Sequence, residues 1–80
     1  MMKVRIFVTL KNGVLDPQGK AIESSLNHMG FKGIEKVRQG KLIELTLNET
    51  DPKKASAKLE EMCNKLIANT VIENYRFEFI

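Results

Sequence analysis

The chain has 80 residues, which makes one domain with a modest core. Its 42% hydrophobic and 29% charged residues are mixed along the chain, which excludes extended disorder. Thirteen basic residues against ten acidic ones give a net charge of +3, too small for phosphate neutralisation to dominate binding, so no nucleic-acid partner is expected.

From Lys3 to Leu10, Val4, Ile6, Val8 and Leu10 alternate with Lys3, Arg5, Phe7 and Thr9, a period of two that predicts a strand. Asn12-Gly13 breaks it. Asp16 before Pro17 suits an N-cap carboxylate followed by proline at the first helical position, where the missing N–H costs nothing. Ile22, Leu26 and Met29 then fall on one helical stripe, with Lys20, Glu23 and Asn27 facing out and Gly30 placed to end the helix.

Ile34 to Gln39 is short and mixed, and is expected to be a strand joined through a Gln39-Gly40 hairpin turn to the clearer strand Lys41 to Leu47. Asp51-Pro52 repeats the cap-and-proline device. Ala55, Leu59, Met62, Cys63 and Leu66 form the apolar stripe of a second helix. Val71 to Ile80 alternates Tyr75, Phe77 and Phe79 with Asn74, Arg76 and Glu78, as a closing strand does.

The order is strand, helix, strand, strand, helix, strand, and the halves 1–40 and 41–80 repeat short motifs in the same sequence. Ile6-Phe7-Val8-Thr9-Leu10 answers Ile43-Glu44-Leu45-Thr46-Leu47, and Ile34-Glu35-Lys36-Val37-Arg38 answers Ile72-Glu73-Asn74-Tyr75-Arg76. Such a βαββαβ pseudo-two-fold predicts an α+β, ferredoxin-like two-layer sandwich: a four-stranded antiparallel sheet with both helices on one face. The other face would carry Arg5, Phe7, Leu42 and Arg76 among charged neighbours. Apolar Phe7 and Leu42 on that open face favour a second copy of the chain as partner, in a homodimer or a dimer of dimers.

Few groups could do chemistry. Cys63 is the only cysteine, so no internal disulfide forms, and a cytoplasmic protein is expected. It lies on the apolar stripe of the second helix, where a thiol is an inert small hydrophobe. His28 is the only histidine and sits in the last turn of the first helix, where an exposed capping role is expected. One His and one Cys make no zinc set, and Glu60 and Glu61 diverge around their helix, so neither a metal nor a catalytic dyad is expected. MMKVRIFVTL lacks the pattern of a signal peptide, and no apolar run reaches membrane-spanning length.

Two other uses of the same fold are weighed on residues. An RNA-recognition module stacks bases on aromatics of its first and third strands; Phe7 would serve, but KLIELTL has no aromatic. A small-molecule sensor of the ACT type binds effectors at a dimer interface near the turn after its first strand, the place held here by GVLDPQG at 13–19. That loop has no phosphate-cradle pattern, and Asp16 already occupies the helix N-terminus, so Val14-Leu15 there are either a hydrophobic staple or contacts for another protein.

VLDPQG at 14–19, VRQGK at 37–41 and MCNKLIANTVIENY at 62–75 together resemble the PurS family, the small subunit of phosphoribosylformylglycinamidine synthase, over essentially the whole chain. NETDPKKASAK at 48–58 departs from that pattern, mainly in a loop and on an exposed helix face. The resemblance implies a role in de novo purine synthesis, where formylglycinamide ribonucleotide is converted to formylglycinamidine ribonucleotide by an ATP- and glutamine-dependent ligase complex (EC 6.3.5.3). ATP, magnesium and glutamine would be used by the partner subunits, the synthetase PurL and the glutaminase PurQ. This chain would be a non-catalytic adaptor that brings them together so that ammonia passes between their sites, with no cofactor of its own. Residues expected to dock partners are Leu15, Asp16, Pro17, Gln18 and Gly19, with Arg38, Gly40 and Lys41 and with Asn69, Thr70 and Glu73.

Overall fold

The computed structural model describes residues 1–80 as β1 (Met2–Leu10), α1 (Pro17–His28), β2 (Gly40–Leu47), α2 (Pro52–Met62), a π-helical turn (Cys63–Ile67) and β3 (Glu73–Phe79). The sheet is antiparallel, in the order β2-β1-β3. The fold is therefore α+β as expected, but with three strands rather than four.

The missing strand is Ile34–Gln39, and Gln39-Gly40 is not a hairpin turn: Gly40 already opens β2 opposite Thr9. The backbone explains this. Lys36 has φ 57°, which no strand residue adopts, and the amides of Val37 and Gln39 donate to the side chains of Glu23 and Asp16 instead of to a neighbouring strand. Strand-like letters lost to two carboxylates.

Both predicted helix starts form. Asp16 accepts from the Gly19 amide at 2.9 Å and Asp51 from the Lys53 amide at 2.9 Å, each with proline following. Gly30 ends α1 at φ 94°, donating to the Asn27 carbonyl, while Phe31 donates to that of Leu26.

Val4, Ile6 and Val8 of β1 are buried against Leu59, Cys63 and Ala68, with Ile43, Leu45, Leu47, Tyr75 and Phe77 packed around them. The alternation in β1 thus faces α2 as predicted. The predicted α2 stripe stops one residue short. The π turn closes with the Ala68 amide donating to the Cys63 carbonyl, and this wider turn rotates Leu66 out to 87% exposure while Ile67 and Ala68 turn inward.

No side chain of α1 enters this core. Of its residues only Gly19 is buried, and past its end Met29 is 71% exposed. The radius of gyration, 16.0 Å, exceeds the roughly 11.6 Å expected of a compact 80-residue domain, and the molecule extends 49 Å in its long direction. The expectation of two helices covering one sheet face is met by α2 alone.

On the opposite face Arg5 stands in register between Glu44 and Glu78, and bonds Glu44 at 3.2 Å. The Arg76 guanidinium lies 3.9 Å from the centre of the Phe7 ring, and Leu42 is exposed beside it.

Since Leu59 is wholly buried in the single core, Leu59→Ala is expected to cost about 2–5 kcal/mol, read as a lower urea midpoint.

Candidate functional site

Asp16 joins three parts of the chain. Its Oδ1 accepts from the Gly19 amide at 2.9 Å, closing the first turn of α1, and its Oδ2 accepts from the Gln39 amide at 2.8 Å, tying down the strap 34–39. Glu23, two turns along α1 from Asp16, accepts from the Val37 amide at 3.2 Å. Arg38 crosses to the β1–α1 loop, donating to the carbonyls of Val14 at 3.1 Å and Lys11 at 3.2 Å. Gln39 Nε2 donates to Gln18 Oε1 at 2.6 Å.

Two glycines make this joint possible. A Cβ on Gly19 would collide with the Val37 carbonyl and come within 2.7 Å of Asp16 Oδ2. A Cβ on Gly40 would lie 2.6 Å from the Val8 carbonyl. Any side chain at either position would push the strap off the helix or β2 off β1.

The predicted docking residues therefore converge in part. Asp16, Gln18, Gly40, Lys41 and Glu73 line one cleft of about 190 Å³, and Leu15, Asp16 and Arg38 line a larger one of about 620 Å³ beside it. Pro17 and Gly19 build the helix start behind them. Asn69 and Glu73 fold on each other: the Asn69 amide donates to the Glu73 carboxylate at 2.7 Å, and the Glu73 amide to the Asn69 carbonyl. Glu73 also faces Lys41 at 3.6 Å, which links this turn to β2. Thr70 lies exposed in the same turn and lines neither cleft.

Glu23, expected on the wet side of α1, joins the site, as do Gln39, Lys20 and Lys36, none of them among the expected docking residues. Glu23 lies seven residues after Asp16, two helical turns on, so both carboxylates share the face that meets the strap. That spacing was the one available signal.

The Asp16 carboxyl is held below its usual range, first by the Gln39 amide and then by the Gly19 amide, against its own desolvation. Glu49 is lowered from 4.5 to about 2, mainly by its hydrogen bond from Lys58 and then by the amides of Thr50 and Asp51. Cys63 is pushed the other way, its thiol raised by burial. No three side chains of the metal-ligating kinds gather in one place, and no helix is long and apolar enough to cross a membrane.

Residues 3–80 match the sequence profile of PurS: phosphoribosylformylglycinamidine (FGAM) synthase. The chain belongs to the PurS family. It is 55% identical over 74 residues to the PurS subunit of Synechocystis, which spans 92% of this chain and 74% of that relative. It superposes on the solved PurS of Methanocaldococcus jannaschii, a subunit of formylglycinamide ribonucleotide amidotransferase in purine biosynthesis, with TM-score 0.89, at 38% identity over 100% of this chain and 96% of that one. It also matches a chain in the structure of PurLQS from Thermotoga maritima, with TM-score 0.90, at 30% identity over 99% of this chain and 96% of that one. As a PurS chain it is a subunit of FGAM synthase (EC 6.3.5.3), a ligase of purine biosynthesis.

The lowered carboxyls set the acid limb of stability. A group more acidic in the folded state gives up its stabilisation as pH falls, for Glu49 between about 4.5 and about 2. Stability is therefore expected to decline below about pH 5, where carboxylates begin to protonate in the unfolded chain. Asp16→Asn is expected to flatten that decline and lower stability at neutral pH, both read from urea unfolding across the pH range.

Proposed function

We propose that this PurS chain is the non-catalytic adaptor of the synthase, joining the glutaminase PurQ to the ATP-dependent synthetase PurL so that ammonia passes between them. The observation that carries the reading is the joint around Asp16: Leu15, Asp16, Gln18, Arg38, Gly40, Lys41 and Glu73 line a braced rim with no cysteine or histidine among them. The chain's one thiol is instead sealed in the core with its pKa raised, and its one imidazole sits in the last turn of α1. The resemblance to a chain of PurLQS supplies the partners. ATP, magnesium and glutamine chemistry belongs in this reading to those partners, and the complex works in the cytoplasm.

The adaptor also acts as a homo-oligomer. Isolated helices shorter than about 12–15 residues are marginal in water, and α1 has 12 residues with Ile22, Leu26 and Met29 left out of its own core. A second copy laid on that stripe would supply the missing burial. The Arg5, Phe7, Leu42 and Arg76 face is less in need of cover, because its charges are paired and Phe7 lies beneath Arg76.

With purified PurL and PurQ, this chain is expected to be required for the glutamine-dependent rate and not for the ammonia-dependent one. If neither rate responds to it, the adaptor reading falls and effector binding of the ACT kind takes its place. Leu26→Glu is expected to lower the mass seen by light scattering, whereas Phe7→Glu leaves it unchanged; the opposite pattern would move the self-association surface to the sheet.

A further inference from the structure

Asn12 is the only asparagine of the chain followed by a glycine. Both residues are exposed in the loop after β1, and neither the Gly13 amide nor the Asn12 side chain is taken up by a hydrogen bond within the protein. A carboxamide beside a free glycine amide is a labile pair, because no Cβ on the glycine shields its nitrogen. The Gly13 nitrogen attacks Asn12 Cγ and gives up its proton; an N–Cγ bond forms, the bond from Cγ to the side-chain nitrogen breaks, and that nitrogen leaves with the proton as ammonia. Water then opens the succinimide at either carbonyl. One opening leaves aspartate at this position, the other isoaspartate, with the chain running through Cβ. The whole change exchanges ammonia for water and needs no oxidant or reductant.

The native turn opposes this reaction. The Val14 amide donates to the Lys11 carbonyl at 3.2 Å, Gly13 stands at φ 86°, and Asn12 keeps a negative φ, which together define a type II turn with Asn12 at its first corner. In such a turn the ψ of that corner residue is about +120°. Ring closure needs the Gly13 nitrogen eclipsed with Asn12 Cβ about the Cα–C bond, and at that ψ an L-residue holds the two far from eclipsed. The turn must open before the nitrogen can reach Cγ. Arg38 resists the opening: its guanidinium donates to the Lys11 carbonyl at 3.2 Å and to the Val14 carbonyl at 3.1 Å, gripping both ends of the turn from the strap. The Lys11 amide is fixed as well, donating to the Ile72 carbonyl at 2.8 Å.

We infer that Asn12 is a latent site of self-modification, converted through a succinimide to aspartate and isoaspartate at a rate set by the Arg38 clamp. The change is one-way, and it adds a carboxylate to the cleft that Asn12 lines with Asp16, Glu23 and Arg38. Isoaspartate also lengthens the backbone by a methylene inside a turn pinned at both ends, which shifts the loop against the strap.

The test is incubation of the full chain in warm, mildly alkaline buffer, with conversion at each asparagine followed by peptide mass spectrometry and isoaspartate measured by methyltransferase labelling. Arg38→Ala removes the clamp; Arg38 is exposed, so the core is expected to stay intact, as circular dichroism would show. Ile6→Val loosens the buried core without touching the turn. Wild-type chain denatured in guanidinium chloride gives the rate of the open turn. Folded wild type is expected to convert at Asn12 ahead of every other asparagine, and more slowly than the denatured chain. Arg38→Ala is expected to convert about tenfold faster than folded wild type, with Ile6→Val close to wild type. Equal rates in wild type and Arg38→Ala, or a folded wild-type rate that matches the denatured one, overturn the inference. So does equal acceleration by Ile6→Val, since Asn12 would then react through global unfolding and not through its own turn. Absence of the Asn12 products from both folded wild type and Arg38→Ala overturns it as well.

Discussion

One carboxylate organises half of this molecule. Asp16 closes the first turn of α1 with one oxygen and captures the strap with the other. A backbone N–H that donates to a side chain cannot also donate to a neighbouring strand, so the strap gives up sheet pairing in exchange for a fixed place against the helix. The third strand in chain order is lost to this exchange, and Gly19 is needed because only a bare Cα lets the strap come so close.

The consequence is an unequal pair of halves. The second half packs around β1 of the first, β2 and β3 flanking it in the sheet while α2 and its π turn seal Val4, Ile6 and Val8 from one side. The first half has its helix tethered at the N-terminus and left out of the core. A chain this small buries few residues in any arrangement, and only nine are buried here. Stability then leans on one layer of contacts, and the apolar stripe of α1 is surface that another chain can use.

The same tether that costs a strand gathers the residues proposed to dock partners. Loop, helix start, strap and the β2 and β3 origins are brought to one end of the sheet, where their side chains are held by hydrogen bonds to backbone rather than by burial. Such a rim is stiff and wet together, which suits recognition of another protein surface. Acid–base chemistry at neutral pH would ask instead for a titrating group poised near that pH, and the shifted groups here are carboxyls lowered and a buried thiol raised.

What the residues determined locally is what the sequence made legible. Alternation in Lys3–Leu10, Lys41–Leu47 and Tyr75–Phe79 specified the strands and their core face, because a period of two leaves no other way to bury Val4, Ile6 and Val8 together. Asp16-Pro17 and Asp51-Pro52 marked both helix starts, because capping needs only residues within one turn. The family was legible too, in VLDPQG and MCNKLIANTVIENY. Tertiary structure decided the rest. Whether Ile34–Gln39 would be a strand depended on hydrogen bonds to carboxylates 14 and 23 residues earlier in the chain. The outward turn of Leu66 depended on a backbone ring one residue wider than the helical period assumes, and α1 lies off the core although its stripe is apolar, held instead by the tether between Asp16 and the strap. Each of these is a competition between partners distant in sequence, and periodicity along the chain carries no record of which partner wins.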